Sequence, residues 1–132
     1  MLLVEHAVQG CPIPTLVVAD TKAAMATLAR AHREHLGPTP VIGITGSCGK
    51  TTVKNMLQQV LSELGPICAS QRSFNNDIGL PLTLLGATAR DRAVVLEMGT
   101  NSPGEIAHLA DIAQPDYGIV TMIGTGHLEG LE

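Results

Sequence analysis

Tryptophan is absent from this sequence of 132 residues, and phenylalanine and tyrosine occur once each, as Phe74 and Tyr117. A core must therefore come from Val, Ile, Leu, Ala and Met, the residues of central strands covered by helices on both faces. Basic residues are also scarce: 8 Lys and Arg stand against 12 Asp and Glu, for a net charge of −4 with no Lys/Arg run. That balance excludes a general nucleic-acid binder and points to a small polyanion held locally. Cys11, Cys48 and Cys68 form neither an even set nor a CxxC pair, and the N-terminus lacks the basic start and apolar core of a signal peptide. A reducing, cytoplasmic setting is expected. No apolar run approaches the roughly 20 residues that span a bilayer, so membrane insertion is not expected.

What the chain does contain is enough hydrophobic residue, 45%, to bury a core, arranged as alternating strand and helix signals. Pro14 to Ala19 reads as a strand, and Asp20 or Thr21 caps a helix carrying Met25, Leu28, Ala29 and Leu36 at helical spacing. Gly37-Pro38-Thr39-Pro40 ends that helix and marks a boundary, giving one segment over 1–37 and another over 38–132. The β-branched run Pro40 to Thr45 enters a glycine loop, followed by a helix with Val53, Met56, Leu57, Val60, Leu61 and Leu64 on one face. Ile67-Cys68-Ala69 suggests a short strand, and Ile78 to Leu85 a short helix with Pro81 in its first turn. Ala93 to Leu96 reads as an unalternating strand ending at Glu97. Ser102-Pro103-Gly104-Glu105 then fits a capping box with proline at the first helical position. Tyr117 to Ile123 predicts another buried strand, and the repeated alternation a parallel sheet with right-handed crossovers.

Chemistry concentrates at Gly46-Ser47-Cys48-Gly49-Lys50-Thr51-Thr52. Nucleotide phosphates need converging N–H donors, a mobile positive charge and a metal partner. Gly46 and Gly49 permit close backbone approach, while Lys50 and Thr51 supply the other two at a helix N-terminus. The usual pattern has four residues between its glycines, whereas Gly46 and Gly49 enclose two, and the plainer reading is a glycine-rich turn between strand and helix. Strand, loop and helix in the required order favour phosphate binding.

Glu97, at the end of an apolar strand, faces the crevice where open α/β sheets bind ligands, so its carboxylate can hold Mg²⁺ beside Thr51; otherwise it is an ordinary acid. Gly99 just beyond leaves room for a ligand. His127 follows a buried strand and Gly-Thr-Gly, and is either a metal or phosphate contact or a structural histidine. Asn75-Asn76-Asp77 offers amides to phosphate or metal-bound water, or caps a helix. Cys48 reads as a small filler within the loop and Lys54 as a solvated lysine. His6, His32, His35 and His108 show no ligand spacing.

Taken in order, Thr45 to Thr52, Phe74-Asn75-Asn76-Asp77-Ile78-Gly79-Leu80-Pro81, Glu97-Met98-Gly99, Pro103-Gly104-Glu105-Ile106 and His127-Leu128-Glu129 strongly resemble the Mur ligase family, over about residues 14 to 130. The Asn-Asn-Asp-Ile-Gly-Leu-Pro block most resembles members that add D-alanyl-D-alanine to UDP-muramoyl-tripeptide in peptidoglycan synthesis. It disfavours the folylpolyglutamate synthases and cyanophycin synthetases. The resemblance implies a P-loop NTPase-like three-layer α/β sandwich with a mainly parallel sheet, here partial, over 38–132. Residues 1–37 would be the tail of an N-terminal α/β domain that holds the UDP-sugar.

It further implies that ATP phosphates are held by Gly46, Ser47, Cys48, Gly49, Lys50, Thr51, Thr52, Asn75 and Asn76. One Mg²⁺ would sit at Thr51 and Glu97 and a second at Glu97 and His127. Lys50, Glu97 and His127 would be catalytic, in a reaction that makes an acyl phosphate from the ATP γ-phosphate and then an amide. Full-length members of this type are expected to be cytoplasmic and monomeric. The chain is expected to be a fragment that binds nucleotide without ligating. A non-catalytic nucleotide-binding module is the alternative from another class.

Overall fold

The structure, a computed structural model, describes residues 1–71 and 74–124. Two short parallel strands, β1 (Leu2–Val4) and β2 (Thr15–Val17), form a small separate sheet. Helix α1 (Thr21–His35) follows, and the Asp20 carboxylate caps it by accepting from the backbone of Lys22 at 2.8 Å and Ala23 at 3.0 Å. The remaining chain runs β3 (Val41–Thr45), α2 (Lys50–Ser62), β4 (Ile67–Ala69), α3 (Gly79–Gly86), β5 (Ala93–Glu97), α4 (Glu105–Ala113) and β6 (Tyr117–Val120). The four strands from β3 onward make one wholly parallel sheet in the order β4-β5-β3-β6.

Right-handed crossovers dictate the layers. The step from β3 to β4 and the steps from β4 to β5 and β5 to β6 run in opposite directions along the sheet, so α2 covers one face and α3 and α4 the other. Register agrees. Val41 pairs with Val94, and Val94, Leu96 and Met98 share a buried cluster with Leu80 and Leu84 of α3 and Leu109, Ile112 and Ala113 of α4. Ala29 and Leu36, at α1 and its C-terminus, belong to the same cluster. An ion pair from Arg33 to Asp116 at 2.8 Å ties α1 to the turn before β6, and the same Asp116 oxygen accepts the Val41 N–H at 2.8 Å.

Three local expectations are corrected. The helix expected from Pro103 begins at Glu105 instead: Gly104, at φ +87°, is its N-cap, and no side chain caps it. The Glu105 carboxylate does reach back to the Asn101 and Ser102 N–H groups, so half of the capping box forms. Strand β6 is not buried. Tyr117 is 63% exposed, because β6 is the edge of the sheet among the described residues. Finally, the apolar face drawn on α2 is split. Val53, Leu57 and Leu61 pack inward, while Met56, Val60 and Leu64 face outward. Among the described residues no helix is long and apolar enough to cross a membrane.

Candidate functional site

Strands β3 and β5 are neighbours, yet the helices that leave them, α2 and α4, pass to opposite faces. Their carboxyl ends therefore part at a crevice, the place where open parallel sheets bind ligands. The glycine loop leaves β3 on one side of it and Glu97 ends β5 on the other.

The loop is held open by the chain that follows β6. The Ser47 N–H donates to the Met122 carbonyl at 2.8 Å, and the Ser47 hydroxyl accepts from the Gly124 N–H at 3.0 Å. The Thr121 hydroxyl donates to the Cys48 carbonyl at 2.5 Å. Gly46, at φ +132°, lies so close to this segment that a Cβ there would sit 2.3 Å from Thr121 Oγ1. Its glycine is thus required by close approach as well as by backbone conformation. Gly49, at φ +83°, is the N-cap of α2 and offers no capping side chain, so the first N–H groups of the helix are left for an anion. Lys50 folds back over the loop, its Nζ donating to the Gly46 carbonyl at 2.6 Å. Thr52 and Cys48 lie exposed beside it.

Glu97 is 3% exposed. One carboxylate oxygen accepts from the Thr51 hydroxyl at 3.0 Å and the other from the Asn75 amide at 3.1 Å. Both donors are neutral, and among the described residues no cation pairs with this carboxylate. A buried carboxylate without a positive partner is costly, and a divalent cation between Glu97, Thr51 and phosphate oxygens would relieve that cost. The donors are hard oxygens, as Mg²⁺ requires. Among the described residues no three His, Cys, Asp or Glu side chains cluster, so such an ion would complete its shell with phosphate and water.

A cleft of about 410 Å³ opens beside this pair, lined by Lys50, Asn75, Asp77, Gly99, Asn101 and His108 among others. Asn76 borders it too, but its side-chain oxygen caps α3, accepting from the Ile78 and Gly79 N–H groups at 3.2 and 2.8 Å. Gly99 borders the cleft, but the space directly above its Cα belongs to Asn75: that side chain lies 2.9 Å from where a Cβ would be, and the Gly99 N–H donates to the Asn75 carbonyl at 2.7 Å. Asn75 is thereby fixed against both Glu97 and Gly99.

The structure therefore brings Gly46, Ser47, Gly49, Lys50, Thr51, Asn75 and Glu97 together around one crevice. His127 lies outside the described residues. Lys54 is not solvated. It is 4% exposed, and its Nζ donates to the Ser70 carbonyl at 2.8 Å, because its position on α2 turns toward β4 rather than outward. Sequence reasoning also passed over Ser70 and Thr121, single hydroxyls in apolar or turn-like surroundings whose partners lie 27 and 73 residues away. Burial raises the Cys68 thiol to about 11, with the Asp91 carboxylate adding to it, whereas Cys48 is exposed.

This arrangement, a glycine loop and lysine at one strand end and a buried acid at the next, defines an α/β domain of the parallel-sheet class with a P-loop-like strand, loop and helix. Residues 44–132 match the Mur ligase middle domain, and the chain belongs to the Mur ligase family. It is 40% identical over 133 residues to the UDP-N-acetylmuramoyl-tripeptide--D-alanyl-D-alanine ligase of Haemophilus influenzae, covering 98% of this chain and 29% of that protein. The enzyme of that name from Bacillus subtilis is 44% identical over 116 residues, covering 88% of this chain and 25% of its own length. Among solved structures, MurF from Acinetobacter baumannii superposes with a TM-score of 0.88 at 40% identity, over 97% of this chain and 28% of that one. MurF ligase from Thermotoga maritima in complex with ADP gives 0.81 at 32% identity, over 96% and 29%. The chain thus spans less than a third of the relatives it matches.

Proposed function

We propose that this chain is the nucleotide-binding part of an ATP-dependent amide ligase that adds D-alanyl-D-alanine to UDP-N-acetylmuramoyl-tripeptide in peptidoglycan precursor synthesis. The observation that carries the reading is the buried Glu97 carboxylate, which among the described residues is bonded only to the neutral Thr51 hydroxyl and Asn75 amide, beside an uncapped helix N-terminus and Lys50. The kinship with ligases of that name supports the choice of substrates.

In this reading the backbone of Gly46 to Thr52, with Asn75, holds the ATP phosphates, while Asn76, whose side-chain oxygen is taken by α3, borders the cleft. Lys50 leaves the Gly46 carbonyl and follows the γ-phosphate, offsetting the charge that develops as it passes to the peptide carboxylate. Thr51, Glu97 and His127 would hold Mg²⁺, which when bound polarises the phosphoryl oxygens and neutralises their charge. Glu97 orients Thr51 and Asn75 through its two oxygens, tying the acid to the start of α2 and to the Asn75 segment. Residues 1–37 are the tail of the UDP-sugar-binding domain and 38–132 the first part of the ATP-binding domain, with α1 packed across that division. The working protein is a cytoplasmic monomer.

Calorimetric titration of the chain with ADP and Mg²⁺ tests the reading. Saturable binding at one site, lost in Lys50→Ala, is expected, with no amide formed from UDP-muramoyl-tripeptide, ATP and D-alanyl-D-alanine. A chain that takes up no nucleotide, or binds it equally well without Lys50, overturns the proposal.

A further inference from the structure

Helix α2 buries a lysine while exposing two large apolar residues, Met56 and Val60, the reverse of what its hydrophobic pattern predicts. Lys54 is 4% exposed, whereas Val60, further along the helix, is 67% exposed. Removing an ammonium group from water is unfavourable unless a specific arrangement is gained. No carboxylate among the described residues pairs with Lys54, and its one bond runs to the Ser70 carbonyl at 2.8 Å.

Ser70, itself 2% exposed, uses every polar group it has. Its N–H donates to the Val95 carbonyl at 3.0 Å, its hydroxyl accepts the Glu97 N–H at 3.1 Å, and its carbonyl accepts Lys54. One residue at the end of β4 thereby joins the end of β5, where Glu97 stands, to the helix that carries Thr51. Lys54 lies one turn beyond Thr51 on that helix, and Asn75 is five residues beyond Ser70 along the chain. The two donors to the Glu97 carboxylate therefore spring from segments that the Lys54–Ser70 bond holds together.

We propose that Lys54 is a positioning residue for the candidate metal site: acting through Ser70, it sets the separation of Thr51 and Glu97 without touching either. The inference rests on the nucleotide-binding reading above. Outer partners of metal ligands commonly govern metal affinity by about 10- to 100-fold while leaving the other contacts in place.

The test compares ADP binding to the whole 132-residue chain in EDTA and across a Mg²⁺ series, for wild type, Lys54→Met, Lys54→Arg and Ser70→Ala. For Lys54→Met the expected result is ADP affinity in EDTA within about twofold of wild type and a Mg²⁺ requirement raised about tenfold. Lys54→Arg, which keeps a donor, brings the Mg²⁺ requirement most of the way back to wild type, and Ser70→Ala, which removes the acceptor of the Glu97 N–H, repeats the Lys54→Met shift. An unchanged Mg²⁺ requirement in Lys54→Met overturns the inference. So does an equal loss of affinity with and without Mg²⁺, the sign of general loosening. Should Lys54→Met fail to fold by circular dichroism, Ser70→Ala decides alone, and a wild-type Mg²⁺ requirement there overturns it. A wild-type chain that binds no ADP in either buffer overturns the nucleotide reading and this inference with it.

Discussion

Replacing Gly46 by alanine should collapse the phosphate loop from its stem. The new Cβ would lie 2.3 Å from Thr121 Oγ1 and 2.9 Å from both the nitrogen and the oxygen of Met122, and two of these three neighbours are backbone atoms that cannot rotate aside. At φ +132° an alanine is also strained, at about 1–3 kcal/mol. To make room, the segment after β6 must withdraw. It then gives up the bond from Thr121 to the Cys48 carbonyl and that from Ser47 to the Met122 carbonyl, each contributing about 0.5–1.5 kcal/mol. Together these give a loss of about 3 kcal/mol, which for a domain of this size lowers Tm by about 10 °C. Gly118→Ala is the control, because a Cβ there meets nothing within 4 Å, and it should change stability by less than about 0.5 kcal/mol. Thermal melts followed by circular dichroism read both, and ADP titration should show weaker binding in Gly46→Ala alone. A Gly46→Ala chain that melts within about 2 °C of wild type would refute the close-approach argument, as would equal damage from Gly118→Ala.

Glu97→Gln keeps the shape and removes the charge. For one unit of cation charge at about 4 Å the lost attraction lies between about 1 and 4 kcal/mol, so Mg²⁺-dependent ADP binding should weaken at least about fivefold, while the metal-free melt should not fall because a buried charge is removed; undiminished binding tells against a metal at Glu97. Leu84→Ala, at a fully buried position between α3 and β5, should cost about 2–5 kcal/mol by denaturant titration. Asp116→Ala leaves the Val41 N–H without its acceptor and the Arg33 guanidinium with only the Gln114 carbonyl, and a loss of about 2 kcal/mol should appear in the same assay. Alkylation at neutral pH should modify Cys48 well before Cys68. The Cys68 thiol is raised to about 11 by burial, so its contribution to stability is whole below the ordinary value near 9 and is lost as pH rises through 11; a melt unchanged across that window would contradict it.

The elements were readable wherever local physics decides them. Asp20 caps α1, the β-branched run at Val41 to Thr45 leads into the loop, and Pro81 falls in the first turn of α3, each as the local pattern predicts. The positions of the loop, between β3 and α2, and of Glu97, at the end of β5, were legible for the same reason, since a β-branched run, a glycine loop and a helical pattern follow one another in the sequence. What escaped were properties of neighbours distant in sequence. Lys54 reads as polar surface because a helical period says which residues share a face, not which strand that face meets. Asn76 offers the same amide to a phosphate or to a helix, and its bonds to the Ile78 and Gly79 N–H groups become visible only once α3 is in place. Tyr117 to Val120 has the composition of a buried strand, yet its exposure depends on whether another strand lies alongside.

By itself the sequence determined an α/β chain of alternating strands and helices, a glycine loop with Lys50 and Thr51, and an acid at the end of a later strand, because these follow from backbone preference and spacing. Only the tertiary structure decided that β3 and β5 lie side by side with their helices on opposite faces, which sets Thr51 3.0 Å from Glu97 across 46 residues of chain. Only it turned Lys54 inward onto Ser70 and laid Thr121 across the loop. Strand order is chosen by which apolar faces bury one another, a property of the whole chain, and the site at the parting of two strands follows from that choice.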